Sequence, residues 1–212
     1  MAYGTVNVDA MTTSDGVSSS GLYGFKNRII NGAMVIDQRN AGASVTPTNT
    51  SADTFTLDRW AAGISVTSKF SVQQNAGSVT PPAGYSNYLG ITSSSAYAIT
   101  STDQLAFLQR IEGFNAADFG WGAAGASTVT LSFWVRSSLT GTFGGALQNS
   151  AGNRSYPFTY TISSANTFEY KTITIAGDTS GTWEKTTSAG ILLYFSVSNS
   201  GGGTNTTSDR KS

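Results

Sequence analysis

Between residues 128 and 138 apolar and polar side chains alternate without a break. Val129, Leu131, Phe133 and Val135 fall on one side of an extended chain, and Thr130, Ser132, Trp134 and Arg136 fall on the other. Successive side chains of a strand point to opposite faces, so this period of two predicts a half-buried strand, one wall of a sandwich. Phe158, Tyr160 and Ile162 repeat the pattern, residues 171–175 give a further short run, and Ile191, Leu193, Phe195 and Val197 give a fourth. Residues 141–145, 177–181 and 188–190, rich in Gly, Ser and Thr, read as turns between them. Strands separated by turn signals, with no long amphipathic helix, predict an all-β chain. The expected architecture is an antiparallel β-sandwich, a jelly roll, with an extended N-terminal segment.

Taken in order, residues 1–24 offer at most one short strand, through Tyr3, Val6, Val8 and Met11, followed by a flexible connector. Such a segment cannot fold alone, and it reads as an anchor that adds a strand to a partner or lies along it. The sandwich is expected over residues 25–198 and a polar tail over 199–212. Asn31-Gly32 signals a turn, Met34 and Ile36 are placed facing inward on a first strand, and Asp37 is paired with Arg39 at its end. Residues 41–54 read as a loop. In residues 55–66 the alternation puts Phe55, Leu57 and Arg59 on one face, with Asp58 and Trp60 on the opposite one. Residues 69–74 and 88–92 read as strands with a turn at 81–84. For residues 104–113 a helical face of Phe107, Leu108 and Ile111 competes with a strand. Asn115 is placed as the cap of a single helical turn through Asp118, and Gly120, Gly122 and Gly125 around Trp121 as a loop.

The chemistry is bounded by what is missing. With no His and no Cys among 212 residues, a Ser-His-Asp triad, a thiolate nucleophile, a disulfide and a His/Cys zinc site are excluded. No phosphate-cradling glycine motif is present. Twelve basic and twelve acidic residues cancel, and only 11% of the chain is charged, so the electrostatic footprint of a nucleic-acid binder is lacking. No apolar run reaches the length needed to span a bilayer. Glu112, Glu169 and Glu184 are the carboxylates a glycosidase pair would draw on, and exposed strand glutamates are the default explanation for them. Asp178, beside Thr179 and Ser180, reads as a turn cap because no acid-rich loop supplies the oxygens calcium needs. No metal and no cofactor is expected. Sugar binding needs only exposed aromatic faces with amide and hydroxyl partners. Trp60, Trp121 and Trp183, near turns or loops, are its candidate residues, with core packing as the alternative. Trp134, opposite the apolar face, suits a second layer or a subunit contact.

The phrases NRIINGAMVIDQRNAG, FLQRIEG, VTLSFWVRSSLTGTF and TIAGDTSGTW resemble the carbohydrate-binding-module-like jelly-roll domain of bacteriophage tail-fibre and other virion structural proteins. The resemblance spans residue 25 to about 197 and makes LQRIEG a strand. It implies a non-enzymatic virion part, a tail fibre, spike or capsid-attached appendage assembled in the host cytoplasm. Residues 1–24 would dock on other virion proteins, the molecule would be a homotrimer, and host surface polysaccharide would be a further ligand. A carbohydrate-binding, lectin-like module acting as receptor reader is the competing class. The family usually runs on to a closing apolar strand ending in a V-Q-L-E-like phrase, whereas here Val197 leads into SNSGGGTNTTSDRKS. A free sheet edge is therefore expected at that point, covered by a neighbouring subunit or by the N-terminal segment.

Overall fold

The computed structural model describes residues 27–100 and 102–197. The chain divides into two units, residues 1–30 and 31–212. In the described part of the first, the Ile29 amide donates to Asn27 Oδ1 at 2.9 Å. Tyr3, Val6, Val8 and Met11, with the rest of the expected anchor and the polar tail, lie outside the described residues.

The described part of the second unit is all-β and antiparallel. Its strands are β1 (Thr54–Phe55), β2 (Trp60–Ile64), β3 (Phe70–Gln74), β4 (Leu89–Ser93), β5 (Leu105–Glu112), β6 (Val129–Val135), β7 (Gly141–Asn149), β8 (Ser155–Ile162), β9 (Glu169–Ile175) and β10 (Ala189–Ser196). One turn of helix, α1 (Gly113–Ala116), and a 3-10 turn at Ala117–Phe119 follow β5. A six-stranded sheet runs β1-β2-β5-β10-β7-β8, while β3-β4 and β6-β9 form separate ribbons. Both ribbons lie on the same face of the large sheet. Ala62 and Ile64 of β2 pack with Phe70 and Val72 of β3, and Phe195 of β10 meets Phe133 of β6 with ring centroids 5.0 Å apart. The result is a sandwich, as the alternating runs predict.

An aromatic row fills the space between the layers. Trp60 leans on Phe107, Phe107 stacks on Phe195 at 5.0 Å, and Phe195 meets Phe158 edge-on at 5.8 Å. Tyr160 then stacks on Phe143, and Phe133 comes in edge-on from β6. This row explains why residues 141–145, expected as a turn, are a strand paired along its length with β8. Gly145 lies between Phe195 and Phe158 across the sheet. A Cβ there would come within 2.4 Å of both the Phe158 ring and the Tyr194 carbonyl. The glycine makes room for its neighbours' rings. The other face of the large sheet is lined by Ala61, Ala106, Leu108, Leu192 and Tyr194. Both faces of β10 are thus buried, and its run is continuous rather than alternating.

Several local expectations are corrected. Residues 34–37 form no strand, and Val35 and Ile36 are exposed. Asp37 does not pair with Arg39. Its carboxylate accepts the amides of Asn40 and Gly42, and Arg39 sits over the Phe55 ring. Residues 55–66 are not one strand but a hairpin. Arg59 takes a left-handed φ of 72°, Trp60 N–H donates to Leu57 O at 2.9 Å, and Leu57 and Trp60 are both buried while Phe55 is exposed. Asn115 lies inside α1, with Glu112 at the cap position receiving its side-chain amide. The run ending at Val197 leaves no open edge, because β10 is paired with β5 on one side and β7 on the other. Among the described residues the outermost strands of the large sheet are β1 and β8, the latter carrying Pro157 opposite Ala146.

Candidate functional site: the outward face of the β6–β9 ribbon

The sequence alternation is realised from Val129 to Val135, and β6 ends before Arg136, which was expected on its outward face. Val129, Leu131, Phe133 and Val135 point into the sandwich and Thr130, Ser132 and Trp134 point out. In the facing strand Ile173 and Ile175 go inward, and Tyr170, Thr172 and Thr174 go outward. The register sets Thr130 against Thr174, Ser132 against Thr172 and Trp134 against Tyr170. Residues directly opposite in an antiparallel pair share a face, so the outer surface is two rows of hydroxyls ending in an aromatic pair. Trp134 is 42% exposed and Tyr170 55%, their ring centroids 5.4 Å apart and tilted by 53°.

Beyond the aromatic pair Arg136 is tethered. Its Nε donates to the Asn166 carbonyl at 2.9 Å and its Nη2 to Asn166 Oδ1 at 3.0 Å. Asn166, at a left-handed φ of 60°, is itself held by its amide donating to Ser137 O at 2.7 Å. The charged residues of β9 belong to the inward side. Lys171 meets Glu169 at 2.6 Å, and Glu169 also accepts the amides of Ser163 and Ser164. The Lys171 hydrogen bond, followed by those amides, holds the Glu169 carboxyl below the usual range. Two tilted rings flanked by hydroxyls suit a ligand with an apolar face and hydroxyl edges.

Sequence reasoning placed Trp134 on this outward face but stopped its second strand at Lys171 and so missed Tyr170. The period of two, carried back one step from Thr172, contains it. The tryptophans singled out for sugar contact lie elsewhere and inside. Trp60 is 3% exposed and its Nε1–H donates to Asn31 O. Trp121, 4% exposed, donates to Ser127 O, and Trp183, 8% exposed, donates to Asp178 Oδ2. Trp121 and Trp183 meet edge-on at 4.6 Å. Proximity to turns brought these rings under the turns, where each indole N–H finds an oxygen.

The carboxylates are engaged in local contacts. Burial works to raise the Glu112 carboxyl, but hydrogen bonds from Arg59 and Asn115 leave it below its ordinary value. Glu184 is lowered by Thr186 and accepts the amides of Lys185 and Thr186. Asp178 is lowered chiefly by Arg154, which grips both its oxygens at 2.6 and 2.7 Å. Among the described residues no group of three or more His, Cys, Asp or Glu is placed to hold a metal ion, and no helix is long and apolar enough to cross a membrane.

No protein-family model matches the chain, and no curated protein matches it. Among solved structures it is similar to one described as the enzymatically active domain of Bacteriophage CBA120 tailspike protein 4, with a TM-score of 0.42 and 15% identity over 80% of this chain. The chain spans about a fifth of that structure's length, matching 20% of it. The expectation of a non-enzyme is corrected by this finding, since the similar structure is described as enzymatically active. At that TM-score the likeness assigns no activity to this chain.

Proposed function

We propose that this chain is a bacteriophage virion part, a tail fibre, spike or other appendage, whose sandwich contacts surface saccharide through the outward face of β6 and β9. The motif resemblance spanning residue 25 to about 197 supports the virion placement. The observation that carries the saccharide contact is the exposed Trp134–Tyr170 pair at the end of two hydroxyl rows. An aromatic ring takes the CH face of a pyranose, and Thr and Ser on either side meet its hydroxyls, a division of labour that a purely aliphatic contact would not need. Docking through residues 1–24 and a trimeric state complete the proposal.

Binding of the full chain to host cells and to their extracted polysaccharide tests the contact. Trp134→Ala is expected to weaken it at least about tenfold, a change of ~1.4 kcal/mol, with the melting temperature unchanged. Equal binding by Trp134→Ala sinks the saccharide face. A change in oligomeric state with no change in glycan binding makes the same face a subunit contact. Immunogold microscopy of particles with an antibody against residues 27–197 tests the placement, and absence of the protein from particles overturns it.

A further inference from the structure

Resting on that saccharide contact, we infer that the β6–β9 face selects acidic saccharides and that Arg136 is the residue that confers the selection. Arg59, Arg110, Arg154 and Lys171 each meet a carboxylate, from Glu112, Asp53, Asp178 and Glu169. Arg136 meets a neutral amide instead, that of Asn166, and among the described residues no carboxylate is paired with it. A guanidinium carries five N–H donors in one plane, and Asn166 takes two of them. The tether fixes the plane without neutralising the charge, and a fork held this way is suited to a carboxylate.

Position makes the fork useful to a bound sugar. Arg136 lies two residues beyond Trp134, just past the end of β6, so their Cα atoms are no more than about 7 Å apart. A ring lying on Trp134 can extend a carboxyl group towards Arg136 while its hydroxyls face Ser132 and Thr172. Glu169, the nearest acid in β9, is turned inward and engaged by Lys171, so no acid of this ribbon competes for the guanidinium. The same composition disfavours a second copy as occupant. A two-fold contact centred on Trp134 and Tyr170 would bring two Arg136 side chains together with no acid of either face between them.

The test is binding of the full chain to an array of immobilised bacterial polysaccharides. The array holds uronic- or sialic-acid-containing members, neutral members, and each acidic member after reduction of its carboxyl groups. Acidic members are expected to bind, with carboxyl reduction weakening the interaction at least tenfold, which would be about 1.4 kcal/mol. Arg136→Gln should reproduce that loss at unchanged melting temperature, and Arg136→Lys should restore part of it by keeping the charge without the fork. If acidic and reduced forms bind alike, or Arg136→Gln weakens acidic and neutral members equally, acid selection is overturned while the saccharide contact stands. If nothing on the array binds, or Trp134→Ala binds as well as the parent chain, both fall.

Discussion

Phe133 and Trp134 are neighbours in one strand and have opposite fates. Phe133 enters an aromatic row that joins β6 to β10 and β8, while Trp134 stands 42% exposed beside Tyr170. The contrast extends to whole strands. β10 is buried on both faces and anchored by pairing on both sides, whereas among the described residues β6 pairs with β9 alone and turns one face to solvent. The large sheet therefore carries the stability, and the ribbon is free to carry recognition. A change on the inner side should register in unfolding, and a change on the outer side in binding.

The contrast breaks first, if it breaks, at Phe195. Its ring touches Phe107, Phe133, Phe158 and Tyr160, and Phe195→Ala should cost about 3–5 kcal/mol in urea unfolding through the lost transfer energy and the cavity left behind. Next comes Gly145→Ala, a gain of one methyl where there is no room. Overpacking of this kind should cost about 1–3 kcal/mol, and a neutral result would mean that the aromatic row can slide. Asp178→Asn follows. It removes the partner of a largely buried Arg154 that also ties the loop over Trp183, a loss on the order of 2 kcal/mol.

That substitution also predicts a pH effect. The folded state holds the Asp178 carboxyl below its ordinary value, so its stabilisation is present above the unfolded pKa, near 3.9, and disappears as pH falls through the folded value. Thermal melting below about pH 4 should fall less steeply in Asp178→Asn than in the parent chain. The smallest stability change belongs to Trp134→Ala, within about 0.5 kcal/mol. Acrylamide quenching sharpens the point, since Trp60, Trp121 and Trp183 are buried. Trp134→Phe should remove most of the quenchable emission, and persistence of that emission would show that a buried indole is reached by solvent.

How much of this was legible in the sequence follows from which signals are local. The alternation in β6 and β8 predicted their inward faces, because one face of each is buried, but not their bounds, since β6 stops at Val135 short of residue 138 and β8 begins at Ser155, three residues before Phe158. β7 was not legible, since its glycines carry the same letters whether a chain turns or leaves space for Phe158 and Phe195. The hairpin at residues 56–59 was hidden too, because Arg59 adopts a left-handed conformation with no Gly, Asn or Pro to signal it. At the candidate site, Trp134 was legible from alternation alone. Tyr170 is contained in the same period of two, but its place beside Trp134 became visible only with the register of β9, and Arg136 gained meaning only once Asn166, thirty positions away in the chain, was seen to hold it.

One feature of the fold bears on how copies of this molecule can crowd together. A proline in a paired strand preserves the ladder when its nitrogen faces away from the partner, so Pro157 in β8 removes a hydrogen-bond donor from what is, among the described residues, an outer margin of the large sheet. An incoming strand meets a gap there, which discourages the end-to-end templating by which sheets fuse into fibres. Wherever many copies sit at high local density, the molecule is steered towards meeting its neighbours by side-chain surfaces rather than by sharing a sheet.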